Sequence, residues 1–332
     1  MSTVNATTYQ HESGTGSNIT LDASGNVVCA ADIQSTSQNG GQLAGFRNQL
    51  INGDFRIWQR QPSGAGDAGK IILAGKDMYT ADRWSTRGPE RTGGTTKMSK
   101  NTITDLGGSP LIEVAGHTDF FTMTQYIEPE DARGLLGGEA TVSFVTDFPD
   151  PIITVETYNA DGSTNALTVP SPVLSNGRYS TTFTMPSSLT ANDSDRGMNV
   201  RIYANGLASA LPDGSYYVTN FQLEPGPVAT PFEHRPIGTE LALCQRYFFC
   251  LENAEFYATT YARNSSSGDY RIVNFNFPTT MRAAPTVTDT DFTGSADPVN
   301  SQSNKYGVSF YKAPRNVTSG TALTAFKANA EL

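Results

Sequence analysis

The sequence is poor in the residue types that most often build metal centres and disulfide frameworks. It contains only three cysteines and three histidines in 332 residues. They are Cys29, Cys244 and Cys250, with His11, His117 and His234. An odd number of widely separated cysteines argues against a disulfide framework, and neither residue type has the spacing of zinc ligands. We therefore predict no metal and no cofactor.

Charged residues and long apolar runs are also scarce. Charged residues make up 17% of the chain, and 32 acidic residues against 23 basic ones give a net charge of −9. Such a chain repels phosphate backbones and anionic membrane surfaces, and no apolar run is long enough to span a bilayer. We predict no nucleic-acid partner and no membrane insertion. The start of the chain lacks the basic and apolar regions of a secretory signal peptide, so we expect synthesis in a cytoplasm.

Turn-forming and strand-forming residues are abundant instead. The chain has 31 glycines and 18 prolines, and many short segments alternate apolar with polar residues. This pattern is typical of an all-β protein with short strands. The length is sufficient for two or three compact units. We therefore expect an all-β protein of several units.

Residues 1–48 differ in composition from the rest, being rich in Ser, Thr, Asn, Gln and Gly. Within them, residues 18–29 alternate around the turn Ser24-Gly25-Asn26 and predict a β-hairpin. An isolated hairpin of this size is not stable alone. It is therefore either disordered or packed against other chains, and we favour an extended N-terminal attachment segment.

Residues 49–235 are predicted to form a central β-sandwich or jelly roll. The strand candidates are residues 55–58, 111–114, 121–127, 140–145, 152–158, 179–183, 200–203 and 216–223. Its tryptophans, Trp58 and Trp84, are expected in the core. Asp82 and Arg83 are expected to pair locally.

Residues 236–332 are predicted to begin with a short helix and continue as a small C-terminal β-sandwich. Thr239 is the candidate N-cap of the helix, and Glu240 is a favourable anion in its first turn. Leu241, Cys244 and Phe248 follow a helical spacing. Because the small end units cannot cover their own apolar faces, we predict that these three residues form a subunit interface.

Several segments resemble a module common in bacteriophage tail-fibre and structural proteins, which is similar to carbohydrate-binding jelly rolls of the galactose-binding type. They are residues 50–60, 79–84, 220–226, 229–236, 238–248, 277–287 and 330–332. The resemblance implies a homotrimeric tail fibre in the virion, docked on the phage tail or baseplate through residues 1–48 and contacting host surface polysaccharide. Arg56 stands where related calcium-binding sandwiches often carry an acidic residue, which leaves Asp54 and Glu224 as remaining oxygen donors.

The C-terminal unit, 236–332, is the predicted receptor-binding tip. Tyrosine rings can pack on sugar C–H groups, while Arg and Asp can hydrogen-bond to hydroxyl groups. The candidate glycan-binding residues are Tyr257, Tyr261, Arg263, Asp269, Tyr270, Tyr306 and Tyr311. The alternative is that these tyrosines pack between subunits.

We predict that the chain is not an enzyme. Glu128, Glu130 and Asp131 are close in sequence, but they are expected in an exposed turn, where a carboxyl lacks the raised pKa of a general acid. No sequence motif of a nucleophile elbow or phosphate-binding loop occurs. Two alternatives to a receptor-binding fibre remain: a capsule or lipopolysaccharide depolymerase, and a purely architectural collar or baseplate protein.

Overall fold

The structure is a computed structural model that describes residues 8–9, 19–21, 27–29, 46–60, 70–72, 77–87, 95–100, 110–115, 120–190, 196–207, 210–252, 256–257, 260–264, 268–292, 300–312 and 322–332. The chain divides into two compact units, Met1–Gly45 and Phe46–Leu332. In the described residues, antiparallel β-sheets dominate and one α-helix is present. The prediction of an all-β protein is confirmed.

The first unit contains a small antiparallel sheet. Its strands are β1 (Thr8–Tyr9), β2 (Ile19–Leu21) and β3 (Val27–Cys29), in that order. Ile19 pairs with Cys29 and Leu21 with Val27. The hairpin predicted over residues 18–29 is therefore confirmed, and its role in attachment stays a prediction.

The second unit begins with two sheets that face each other. Their strands are β4 (Lys70–Ile72), β5 (Asp77–Tyr79), β6 (Ser85–Arg87), β7 (Thr95–Lys100), β8 (Pro110–Ala115), β9 (Thr122–Ile127), β10 (Glu139–Thr146), β11 (Ile152–Tyr158), β12 (Thr164–Ala166), β13 (Val173–Ser175), β14 (Arg178–Thr184), β15 (Met198–Tyr203) and β16 (Gly214–Pro225). The larger sheet has the order β13-β14-β10-β16-β8-β7-β4, and the smaller has β12-β11-β15-β9-β6-β5. The predicted central β-sandwich is confirmed, and its jelly-roll form stays a prediction.

Both sheets contribute to one apolar core. Val142 and Phe221 of the larger sheet pack in the same cluster as Met123 and Val200 of the smaller one. Trp84 is fully buried there, and its indole N–H donates to the carbonyl of Asn52 at 3.0 Å. Trp58 is partly buried against the same cluster. The expected core position is confirmed for Trp84, whereas Trp58 is only partly buried.

The predicted strand at residues 55–58 is wrong, because this segment is a loop. Asn52 and Phe55 both have left-handed backbones, with φ of 57° and 56°. The Asn52 side chain fixes the turn, since its amide donates to the carbonyl of Ile57 at 2.9 Å and accepts from the Ile57 N–H at 3.0 Å. A side chain that satisfies the backbone locally replaces the bonds that a strand would have made.

The helix α1 (Ile237–Gln245) links the central sandwich to the C-terminal strands. It begins after Pro236, so the predicted N-cap at Thr239 is wrong. Glu240 is buried, and its carboxylate accepts from the backbone N–H of Asn52 and pairs with Arg235 at 3.4 Å. Glu240 therefore ties the helix to the loop at Asn52.

The C-terminal residues form a second, smaller sandwich. Its strands are β17 (Phe248–Leu251), β18 (Phe256–Tyr257), β19 (Thr260–Asn264), β20 (Gly268–Asn276), β21 (Thr286–Phe292), β22 (Asn300–Asn304), β23 (Gly307–Lys312) and β24 (Ala322–Asn329). One sheet has the order β17-β24-β18 with β21 also paired to β24, and the other has β19-β20-β23-β22. Val273 and Phe310 of one sheet share a core with Phe249 and Phe326 of the other. The predicted small C-terminal sandwich is confirmed.

Candidate functional site

The described side chains of β20, β23 and β22 form one mainly apolar and one polar side of their sheet. Val273 and Phe310 are Cα partners in the core, while the alternate positions Asn274 and Ser309 are partners on the opposite side. We call the described residues of that side the polar face: Asn274, Asn276, Asn300, Gln302, Asn304, Ser309 and Tyr311. None of these residues is charged. Its hydrogen-bonding groups are therefore side-chain amides and hydroxyls.

The polar face has a regular geometry. Asn274, Ser309 and Gln302 are successive Cα partners across three strands. The Ser309 hydroxyl and the Asn274 amide oxygen lie 2.8 Å apart, and Asn274 and Gln302 are exposed. Neighbouring strands lie about 4.8 Å apart, and alternate residues along a strand about 6.6 Å apart. These repeats set the spacing of the amide and hydroxyl groups on the face.

A tight turn between β22 and β23 presents one aromatic ring beside the polar face. The Asn304 side-chain oxygen accepts from the backbone N–H groups of Tyr306 at 2.8 Å and Gly307 at 3.2 Å. Tyr306 is 59% exposed, with the Lys305 ammonium 5.1 Å from its ring centroid. A Cβ atom at Gly307 would lie 2.5 Å from the Phe275 carbonyl oxygen, so glycine is required for this close approach. The turn thus holds Tyr306 in the solvent.

The predicted glycan-binding residues do not all occupy equivalent register positions in one sheet. Tyr270 and Tyr311 fall in the same alternation as the polar face, and Tyr306 lies in the turn beside it. Tyr261, Arg263 and Asp269 occupy the alternate register positions, as Val273 does, while Tyr257 is in β18 of the other sheet. The side chains of residues 256–272 lie outside the described part of the structure. A binding role for these residues stays a prediction.

Asn274, Asn276 and Gln302 were not among the predicted site residues. Their signal in the sequence is the alternation Val273-Asn-Phe-Asn-Phe277, which places amides at every second position of a strand. Asn300 and Gln302 carry no comparable signal, because β22 has no apolar residues to mark its inner side. Strand pairing with β23 brings the two sets together.

A buried ionic network lies away from the polar face, where the chain's last residues meet the central sandwich. Arg83 pairs with Glu331, and both side chains are nearly inaccessible, at 1% and 3% exposure. Arg60 also bonds Glu331, at 3.0 Å, and lies 3.6 Å from Asp82. The predicted local pair between Asp82 and Arg83 is therefore wrong, because Arg83 bonds a carboxylate 248 residues away.

Burial governs the protonation of this network. Burial raises the pKa of Asp82 to about 6, although Arg60 opposes the shift. Burial alone would lower the pKa of Arg83, but Glu331 raises it overall, so the guanidinium stays charged. Burial also raises the pKa of the Tyr79 hydroxyl, which donates to the Leu332 carbonyl oxygen at 3.0 Å. The network is a structural connection between the two sandwiches.

The predicted subunit-interface residues lie partly or wholly inside the single chain. Cys244 is fully buried, Phe248 is 4% exposed, and Leu241 is partly buried against the cluster that contains Cys244. The helix ends before Phe248, which begins β17. Burial of Cys244 and Phe248 therefore needs no second subunit. The interface role of the three residues stays a prediction.

The acidic segment at residues 128–131 is only partly exposed. Glu130 is exposed and pairs with Arg133, but the Glu128 side chain is 12% exposed and bonds Arg246 at 2.9 Å and the Tyr247 hydroxyl at 2.6 Å. The expectation of an exposed turn is thus wrong for Glu128, whose carboxylate is fixed by two donors. Burial raises the pKa of Asp131, and Glu128 adds to the effect.

The possible calcium donors are engaged by protein groups. Asp54 pairs with Arg56. Glu224 accepts from the Gln222 amide and from the backbone and hydroxyl of Thr230. Within the described ranges, no three His, Cys, Asp or Glu side chains are grouped as a metal site requires. In the same ranges, no helix combines the length and apolarity needed to cross a bilayer.

Comparison with known proteins gives only distant likenesses. No protein-family model and no curated protein matches the chain. Among solved structures, the CBM22-1 xylan-binding domain of Xyn10C from Paenibacillus barcinonensis is 14% identical, with 50% of this chain and 100% of that chain covered and a TM-score of 0.28. The enzymatically active domain of tailspike protein 4 from Bacteriophage CBA120 is 12% identical, with 54% and 21% covered and a TM-score of 0.28. The carbohydrate-binding module TmCBM27, studied for mannan recognition, is 10% identical, with 48% and 99% covered and a TM-score of 0.23. TM-scores this low support no inference about this chain.

Proposed function

We propose that this chain is a non-enzymatic attachment protein of the bacteriophage tail-fibre type, which contacts host surface polysaccharide through the polar face of its C-terminal sandwich. In this proposal residues 1–48 bind the phage tail or baseplate, and the chain assembles as a homotrimer in the virion. The segments that resemble phage tail-fibre proteins support the virion role. The polar face supports the polysaccharide role.

The observation that carries the proposal is the uncharged array of amides and hydroxyls on three paired strands. Sugar hydroxyls both donate and accept hydrogen bonds, and amides and hydroxyls offer both capacities. Because β20, β22 and β23 are held by continuous pairing, these groups are placed before a ligand arrives. The exposed Tyr306 ring beside them offers an apolar surface for the C–H groups of a sugar. An uncharged face of this kind suits a neutral segment of a polysaccharide.

The test is binding of the fluorescently labelled full chain to a panel of bacterial cells and to an array of bacterial surface polysaccharides. The test variant is the double substitution Asn274→Ala/Gln302→Ala, which removes two exposed amides from one row. Each hydrogen bond contributes about 0.5–1.5 kcal/mol, so we expect affinity to fall by roughly tenfold. Ser301→Ala is the matched control, since Ser301 is exposed on the same strand but at an alternate position.

The outcomes separate the three functional hypotheses. Saturable binding that is weakened in the double variant and unchanged in the control supports the proposal. Release of oligosaccharide from the bound envelopes would favour a depolymerase instead. Labelled protein that binds no cell and no polysaccharide would favour an architectural part. Light scattering of the same sample tests the trimer, because a stable monomer at micromolar concentration would contradict it.

A further inference from the structure

The larger sheet of the central sandwich carries a cavity on the side turned away from its core. The cavity has a volume of about 400 Å³ and is lined by Ser175, Asn176, Arg178, Ser180, Val228, Ala229, Thr230 and Pro231. This volume falls within the range of small-molecule sites. The cavity lies between the hairpin β13–β14 and the segment that follows β16. It is separate from the polar face of the C-terminal sandwich.

Both walls of the cavity are fixed by the chain itself. One wall is the turn Asn176-Gly177, whose φ values of 49° and 76° suit a two-residue hairpin turn. The other wall is held at Thr230, whose backbone N–H donates to the Glu224 carboxylate at 2.8 Å. The Thr182 hydroxyl also donates to the Pro227 carbonyl at 3.0 Å. The cavity is therefore formed before any ligand binds.

Arg178 is the one charged residue among those that line the cavity. Its Nη2 donates to the Ser143 hydroxyl at 2.7 Å and to the Asn220 carbonyl at 3.1 Å, while its buried Nε has no acceptor among the described residues. Among the described residues, no carboxylate oxygen lies within 4.0 Å of an Arg178 nitrogen, the distance that defines an ion pair. Burial lowers the pKa of Arg178, and the charge of Glu224 opposes that shift.

Glu224 does not neutralise Arg178 by contact. Its oxygens accept from the Gln222 amide at 2.8 Å and from the backbone and hydroxyl of Thr230 at 2.8 and 2.5 Å. Glu224 itself is 1% exposed, so a ligand in the cavity meets the guanidinium of Arg178 and not this carboxylate. A partly desolvated guanidinium without a direct anionic partner favours an anion from outside the chain.

The other residues that line the cavity indicate which kind of ligand would contain the anionic group. Ser175, Asn176, Ser180 and Thr230 bring hydroxyls and an amide, which suit a ligand with several hydroxyl groups. Val228 is 55% exposed at the cavity, and Val173, the strand partner of Ser180, is 67% exposed beside it. Such apolar surfaces suit the C–H side of a sugar ring. We propose that this cavity binds an acidic sugar unit, with its carboxylate at Arg178.

The test is a calorimetric titration of the full chain with hexuronic acid oligomers, with neutral hexose oligomers of the same length as the comparison ligand. Arg178→Gln removes the charge and is expected to weaken uronate binding at least tenfold. Because this change also removes the bonds to Ser143 and Asn220, Val228→Glu is the second variant. It adds a carboxylate at the cavity without touching the bonds beneath it, and the same loss is expected.

Two matched controls accompany these variants. Leu207→Glu adds the same charge at a similarly exposed apolar residue, 58% exposed and outside the lining residues, and Arg133→Gln removes an exposed arginine. Uronate binding that is lost in both test variants and kept in both controls supports the proposal. Absence of uronate binding to the wild type, or equal binding by Val228→Glu, would overturn it. Equal competition by acetate or inorganic phosphate would overturn the sugar assignment, because the cavity would then bind any anion.

Discussion

The buried pair of Arg83 and Glu331 permits a quantitative prediction about stability. Glu331→Gln removes the charge that faces Arg83, whose side chain is 1% exposed. Removing one partner of a buried ion pair costs about 3–5 kcal/mol, because the remaining charge is left uncompensated in a poorly solvated environment. Arg60 keeps Asp82 at 3.6 Å and the Phe248 ring, with its guanidinium carbon 3.7 Å from the ring centroid. We therefore expect the loss to come mainly from Arg83.

Urea unfolding followed by intrinsic fluorescence measures this change as a shift in midpoint at constant slope. The control is Glu130→Gln, because Glu130 forms an exposed pair with Arg133, at 74% and 71% exposure, and exposed pairs contribute little. The double variant Arg83→Met/Glu331→Gln should recover part of the loss, since no charge is then left unpaired at Arg83. The reasoning is refuted if Glu331→Gln is no more destabilising than the control.

Three further predictions concern single residues. Burial raises the pKa of Asp82 from 3.8 to about 6, so this group adds about 3 kcal/mol to stability below pH 3.8, and this contribution is lost as pH rises through 6. Unfolding at stepped pH should show a larger fall in the wild type than in Asp82→Asn, in which the raised pKa of Asp131 still contributes. Burial raises the pKa of the Cys244 thiol well above its usual range, so iodoacetamide should label it in the unfolded chain and leave it unlabelled in the native one, as mass spectrometry would show. Glu240→Ala should lower the free energy of unfolding by about 1–3 kcal/mol, because it leaves the Asn52 N–H without its buried acceptor while Arg235 keeps its pair with Glu233 at 3.4 Å, and a urea midpoint equal to that of the wild type would contradict this.

The fold was predictable where strand alternation is strong. The segments at 140–145 and 152–158 alternate apolar with polar residues along much of their length, and both form strands with the expected bounds to within a residue. The segment at 55–58 alternates in the same way but forms a loop. Its conformation is decided by Asn52, whose side chain bonds the backbone of Ile57, and by Glu240 from the distant helix. Apolar alternation in the sequence gives no information about such a contact between distant residues.

The candidate site was less predictable because it depends on register between strands. Tyr261 and Tyr270 are close in sequence, yet Tyr270 pairs with Ala262 and Tyr261 with Arg271, so the two tyrosines occupy alternate positions. A shift of one residue in that pairing would exchange the two sides. The amides of β22 join those of β20 only through β23, which lies between them. The composition of the C-terminal region indicated residue types that can bind sugars. The register between paired strands determines which of these residues occupy equivalent positions, and composition gives no information about register.

The ionic network also determines how the receptor role can be tested. A deletion of residues 237–332 would remove Glu331 from Arg83 and Arg60, and Glu240 from Arg235 and Asn52. Buried charges in the central sandwich would then be uncompensated, so loss of cell binding could follow from unfolding alone. Substitutions on the exposed polar face leave these contacts intact, because Asn274 and Gln302 bond nothing in the central sandwich among the described residues. A binding defect in those variants therefore reports on the face itself.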